Sequence, residues 1–253
     1  PPVAVLESYF LQDCDGIIKY TVDPGNPKLS VDEYGVLFYN DTLIASYPSG
    51  SAHREYEVPS RVTVISTYAF ENAVNLEAVT LPEGLLTMKL NAFRGCTSLK
   101  KVTVPGTVTT IENHIFDGCT ALEEVILGEG ITTTANYMFQ DCTALKSVTL
   151  PETLLSIGSY TFFNCSSLRN IVLPSSLSSI STSVFSGCSG LTHVAYRCTQ
   201  EEAPAITVGS DNDYLVNAPY VHYGFKDEDV ISVGGNAPTC TENGIGEGLY
   251  CTV

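Results

Sequence analysis

Basic residues are scarce in this chain of 253 amino acids, which has 12 Lys and Arg against 28 Asp and Glu and a formal net charge of -16. That balance argues against nucleic acid as a partner, because phosphate backbones are held by clustered Lys and Arg. Charged residues make up only 16% of the chain and apolar ones 44%, so a large core can be buried. Even so, no apolar run approaches the roughly 18–20 residues that cross a bilayer as a helix. A signal peptide is also lacking; the chain opens on Pro1-Pro2. Catalytic motifs are missing too. There is no GxSxG, no HExxH and no glycine-rich phosphate loop, and His53, His114, His193 and His222 lie near no nucleophile motif. Nine cysteines are present without one CxxC pair at zinc spacing. Neither a metal nor any other cofactor is expected.

What the chain does have is a period. From Val58 to Ala195 a 23-residue unit recurs six times without insertion. Its aromatic position reads Phe70, Phe93, Phe116, Phe139, Phe162, Phe185, and its leucine Leu76, Leu99, Leu122, Leu145, Leu168, Leu191. A fixed period of this kind marks a solenoid, in which each coil stacks only on its neighbours.

Within the unit, Leu99-Lys-Lys-Val102-Thr-Val104 has the alternation of a strand, with Val102 and Val104 inward and Lys101 and Thr103 outward. Proline follows at Pro59, Pro82, Pro105, Pro151 and Pro174, with Gly128 as the exception. Lacking an N–H, proline ends the strand there. A second inward set, Val62, Leu85, Val108, Ile131, Leu154 and Leu177, belongs to the return path. Two residues after each phenylalanine stand Asn72, Gly95, Gly118, Asp141, Asn164 and Gly187, the residue types that tolerate positive φ, so a left-handed turn is predicted in every coil. Next come Cys96, Cys119, Cys142, Cys165 and Cys188, with Ala73 in the first copy. A small, weakly polar side chain suits a crowded interior corner, so these read as buried thiols.

The unit LPxxLxxIxxxxFxxCxxLxxV resembles the BspA-like leucine-rich repeat family of bacterial and protist surface proteins, over about residues 3–223. Ala73, Gly128 and Thr134 depart from its pattern, and the fourth copy is expected to pack least well. The implied fold is an α/β-type leucine-rich repeat solenoid, mostly β and coil, with a parallel sheet on one face and short or irregular return segments. Aligning Leu11-Gln-Asp-Cys14 with Phe139-Gln-Asp-Cys142 makes residues 1–22 a worn copy, so a natural N-terminus and export signal are expected upstream. Residues 23–57 read as a hairpin insertion around Asn40-Asp41, 58–195 as the six repeats, and 196–223 as a C-terminal cap. A linker and a truncated, cysteine-containing module would fill 224–253, where a Cys240–Cys251 disulfide stays open.

The outward side of the strands carries the candidate binding residues Glu77, Lys100, Lys101, Glu123, Glu124, Lys146, Arg169 and His193. Signs alternate from Glu77 through Lys100 and Glu123 to Lys146, and opposite charges on adjacent strands stabilise a sheet without any ligand. The same rows hold four of the 12 basic residues against three of the 28 acids, a near-neutral face on an acidic protein. No aromatic residue stands in these rows, which argues against sugar stacking. With the resemblance, the expected function is a non-enzymatic, extracellular protein-binding or adhesion module of a bacterial cell-surface protein. Its partner would be a host or cell-surface protein, with no membrane insertion, and the chain a monomer. Two alternatives stay open, a spacer holding a terminal module off the cell wall and an enzyme with its site in the insertion or tail.

The inward and outward assignments are testable. Phe116→Ala empties a slot in the aromatic file and should cost about 3–5 kcal/mol, whereas Ile126→Ala, on the outward side, should stay within roughly 0.5 kcal/mol. Equal shifts in thermal midpoint would contradict the assignment.

Overall fold

A computed structural model describes residues 16–201, 206–224 and 250–252. The start of the worn copy, the 227–229 linker and most of the C-terminal module, including Cys240, lie outside the described residues.

A hairpin opens the described chain, with strands β1 (Leu29–Val31), β2 (Leu37–Tyr39) and β3 (Leu43–Ser46). Strands of a front sheet then alternate with strands of a return sheet: β4 (Glu55–Glu57), β5 (Val64–Ile65), β6 (Ala78–Thr80), β7 (Thr87–Met88), β8 (Lys101–Val104) and β9 (Thr110–Ile111). The fourth coil supplies only a front strand, β10 (Glu124–Leu127). Alternation resumes with β11 (Ser147–Thr149), β12 (Ser156–Ile157), β13 (Asn170–Leu173), β14 (Ser179–Ile180), β15 (His193–Tyr196) and β16 (Thr207–Val208). A single helical turn, α1 (Asp213–Val216), leads to β17 (Tyr220–Tyr223) and, later, β18 (Tyr250–Thr252).

The front sheet runs β4-β6-β8-β10-β11 and, after a break, β13-β15-β17-β18. All its pairings are parallel except the last, where Val221, His222 and Tyr223 pair with Thr252, Cys251 and Tyr250. The return sheet runs from the hairpin through β3-β5-β7-β9 and resumes as β12-β14-β16. This is the solenoid expected from the period, and the strand alternation holds: Lys101 and Thr103 are exposed while Val102 and Val104 are buried. Each strand-ending proline also starts a turn, its carbonyl accepting the N–H three residues on, as from Val108 to Pro105 at 3.1 Å. Where Gly128 replaces proline, its N–H is available and donates to the Val104 carbonyl at 2.9 Å, continuing the ladder.

The insertion hides a coil. Asn40 and Asp41 do form a hairpin turn, with φ of 49° and 59°. Beyond it, however, Ile44 pairs with Ile65 on the return side, Tyr56 pairs with Val79 on the front, and Tyr47 stacks on Phe70 at 5.1 Å. Tyr47, Arg54 and Tyr56 stand one period before Phe70, Glu77 and Val79. Tyrosine in place of phenylalanine and valine concealed the match. The Tyr56 hydroxyl is accommodated by donating to Asp32 Oδ2 at 2.7 Å.

The six phenylalanines are fully buried and stack coil on coil, with centroids 4.5–5.7 Å apart. Beside them each thiol reaches back one coil: Cys96 Sγ donates to the Phe70 carbonyl at 3.0 Å, and Cys119, Cys142, Cys165 and Cys188 repeat the bond to Phe93, Phe116, Phe139 and Phe162. These five cysteines are free thiols. Burial pushes the Cys188 thiol up to about 12 and raises those of Cys119, Cys142 and Cys165 as well, which keeps the donors protonated. In the first copy, where Ala73 has no thiol, Ser46 Oγ donates to the corresponding Tyr47 carbonyl at 3.4 Å.

The predicted turn residues all adopt positive φ, from 54° at Asn72 to 78° at Gly187. A second left-handed column was not foreseen: Tyr68, Asn91, His114, Tyr137, Tyr160 and Ser183 have φ between 56° and 59°. Bulky residues rarely adopt this conformation. Here His114, Tyr137 and Tyr160 stack on one another, at 4.4 and 4.8 Å.

The fourth coil differs as its sequence implies. Thr134 is buried, with its hydroxyl 3.0 Å from that of Thr161, and accepts the Gly158 N–H at 2.9 Å. Thr161 stands where other coils have Ala69, Ala92, Ile115, Met138 and Val184, so two polar replacements satisfy each other. Only an isolated bridge, Thr133 to Ser156, remains of the return sheet here.

At the C-terminal end Asn212, itself buried, caps the aromatic corner. Its Oδ1 accepts the Phe185 N–H at 3.0 Å, and its Nδ2 donates to the carbonyls of Ser181 and Gly209, both at 2.9 Å. Asn212→Ala should therefore lower stability by about 1–3 kcal/mol, the cost of buried polar groups left unpaired. Asn212→Asp, which sets a buried carboxylate oxygen against the Ser181 and Gly209 carbonyls, should lose at least as much in urea denaturation. No loss in either variant would remove Asn212 from the role of cap.

Candidate functional site

The front sheet presents its outward side chains in rows set by strand register. Glu77, Lys100, Glu123, Lys146 and Arg169 precede β6, β8, β10, β11 and β13 and make one row; Lys101, Glu124 and His193 open β8, β10 and β15 in the next. The first row is tied together through its backbone: Glu77 N–H donates to Arg54, Lys100 to Glu77, Glu123 to Lys100 and Lys146 to Glu123, at 2.6–3.1 Å.

Three ion-pair groups lie along these rows. Glu77 accepts from Arg54 and from Lys100, each at 2.5 Å, Lys146 meets Glu123 at 2.8 Å, and Lys101 meets Glu124 at 2.8 Å. The six residues of these groups other than Arg54 were all candidates read from the sequence. Arg54 was missed, although it stands one period before Glu77. Arg169 has no ion pair among the described residues. Alternation of sign and the front ladder stop at the same place, between β11 and β13, where Lys146 and Arg169 are the like-charged neighbours in the row. Like charges directly opposite destabilise a sheet.

Beyond β13 the surface changes character. His193 is not a lone solvated side chain: it stacks on Tyr220 at 4.7 Å and lies parallel to His222 at 5.8 Å. Tyr220 and His222 belong to β17, which continues the front sheet by pairing with β15. The face therefore does carry an aromatic end, contrary to the rows read from the sequence, and Tyr220 remains 44% exposed. Ala195, outward by alternation, is fully buried between its strand partners Val172 and His222. The step from His193 to Tyr220 is longer than the repeat, so counting by the period could not find it. Burial lowers the pKa of His193, with a smaller contribution from His222, and burial lowers that of His222.

Residues 63–192 match the BspA type leucine-rich repeat region in six copies. The chain belongs to that family. Among solved structures, a leucine-rich repeat protein from Eubacterium ventriosum is 30% identical with a TM-score of 0.57, over 67% of this chain and 52% of that one. A leucine-rich repeat protein from T. pallidum is 22% identical with a TM-score of 0.57, over 75% of this chain and 86% of that one. A leucine rich cell surface protein from Faecalibacterium prausnitzii is 23% identical with a TM-score of 0.54, over 72% and 55%. The latter two are likenesses of fold alone. The chain spans about half the length of the Eubacterium protein it resembles. No curated protein matches it.

Among the described residues of this BspA-type array, no helix is long and apolar enough to cross a membrane, and no group of three or more His, Cys, Asp or Glu is placed to hold a metal ion. The electrostatics of the face centre on Glu77. Its carboxyl pKa is lowered, first by the hydrogen bond from Lys100 and then by the charges of Lys100 and Arg54. A depressed carboxylate pKa contributes stability above its unfolded-state value, and loses it as pH falls through the folded-state value. In a carbon-detected NMR titration Glu77 should thus titrate below an ordinary glutamate. Lys100→Met should move it back further than Arg54→Met, and high salt should shrink both effects. An ordinary Glu77 titration in the parent protein would mean the bridge does not persist in solution.

Proposed function

We propose that this repeat array is a non-enzymatic protein-binding module acting at a bacterial cell surface, with the front sheet as its docking face. The observation that carries the reading is the charge pattern. With Arg54, Glu55 and Glu57 included, the outward rows hold five Lys and Arg and five Glu, on a chain whose total is -16. The excess negative charge therefore lies elsewhere, and an acidic partner is steered toward the one broad face that does not repel it. The surface location rests on the family resemblance and on the cell-surface protein from F. prausnitzii with the same fold. The partner is a host or cell-surface protein and the chain acts as a monomer.

Arg54, Glu77, Lys100, Lys101, Glu123, Glu124 and Lys146 are engaged in ion pairs with one another, so Arg169 is the main anchor for the partner, with Lys146 as its like-charged neighbour. The double variant Lys146→Glu, Arg169→Glu tests this against a panel of immobilised extracellular host proteins by surface plasmon resonance. The variant should keep the parent's thermal midpoint and lose association rate, most visibly at low salt. Unchanged binding would move the site off the front sheet, and a parent protein that binds nothing across the panel would favour a spacer.

A further inference from the structure

We infer that the C-terminal end of the front sheet holds a divalent transition-metal site, with the imidazoles of His193 and His222 as its protein ligands and the Asn170 amide oxygen beside them. The argument starts from one hydroxyl. Thr192 Oγ1 donates to the Arg169 carbonyl at 3.3 Å and lies 2.9 Å from His193 Nδ1. A threonine hydroxyl has one hydrogen, so both bonds exist together only if Nδ1–H is the donor in the second. That fixes the tautomer and leaves His193 Nε2 with a free lone pair, as a hydrogen bond at the far ring nitrogen does for metal-binding histidines.

Two further acceptors stand on the strands either side of His193. His222 lies parallel to His193 within 3°, their centroids 5.8 Å apart, and neither of its nitrogens is hydrogen-bonded among the described residues. Asn170 is the strand partner of His193 on the other side, and its Oδ1 is buried with no hydrogen-bond partner among the described residues. A buried acceptor without a donor is a debt that a bound water or ion settles. Lone pairs from two imidazoles, with an amide oxygen one strand away, suit a cation. Imidazole nitrogen favours zinc, copper or nickel, at Zn–N distances of about 2.0–2.1 Å, which a modest rotation of the two parallel rings can provide. Sequence spacing gives no hint of the pair, because sheet register brings the histidines together. Two protein ligands leave the remaining positions to solvent, and Arg169 in the adjoining row opposes a cation, so binding is weaker than in a closed four-ligand site.

Isothermal titration of the full chain with Zn2+ tests the site, together with NMR of the histidine Cε1–H signals. One ion should bind and shift the signals of His193 and His222. His193→Ala and His222→Ala, each checked for an unchanged thermal midpoint, should each weaken binding by roughly tenfold or more, as should Thr192→Val, which frees the tautomer. His222→Gln serves as a second variant should the alanine fail to fold, and His53→Ala should bind as the parent does. The inference is overturned if the two histidine signals stay in place in excess Zn2+, or if the histidine variants bind Zn2+ as tightly as the parent. Its outcome is independent of the docking face proposed above, which needs no metal.

Discussion

Everything in this solenoid depends on satisfying one buried peptide unit per coil. A phenylalanine at the interior corner takes its own N–H and C=O out of water; the N–H is paired by the next coil, and the C=O by the N–H three residues on and by a thiol from the next coil. The N–H of Phe93 goes to the Ile115 carbonyl at 2.8 Å, and its C=O receives the Cys119 thiol at 3.2 Å. The next coils repeat both bonds, and an unpaired buried polar group would cost about as much as any single contact there stabilises. This explains cysteine, a side chain small and apolar enough for the corner that still brings a hydrogen. It also explains the two left-handed residues flanking the corner, which turn the backbone sharply enough to present both groups along the stacking axis.

The features set by this demand are those a single sequence displays. Inward valines and leucines, strand-ending prolines and the turn at Asn72 through Gly187 each follow from a residue type with one physical role, so reading by period recovers them. What escaped reading had a different residue performing the same role. Tyr47 and Tyr56 occupy slots of phenylalanine and valine in a coil masked by the hairpin. Thr134 reads as a packing fault until Thr161 is seen to answer it across the coil boundary. Tyr137 and Tyr160 adopt a conformation that their residue type disfavours, held by stacking that no local pattern encodes.

The same division applies to the candidate face. Its alternating charges were legible because register follows the period, and six of the eight candidate residues do pair with one another. Neither Arg54 at one end nor Tyr220 and His222 at the other was legible, since the period is disguised at the first and changes at the second. The face is thus two surfaces in series: a lattice of mutually neutralised charges, then, past the gap between β11 and β13, a guanidinium without an ion pair among the described residues and a cluster of rings. A partner meeting the first finds shape and little net field; one meeting the second finds the aromatic and arginine side chains that dominate binding energy elsewhere.

Asn212 has a consequence for how such a chain can change over generations. Because every corner hands its N–H to whichever coil follows, an in-frame duplication or loss of one unit in the middle of the array leaves each donor with an acceptor of the same kind. Only the terminal corner needs a dedicated residue, and Asn212 sits outside the repeat. The length of the molecule, and with it the reach and area of the front sheet, is therefore open to alteration by recombination between repeats without any new capping residue.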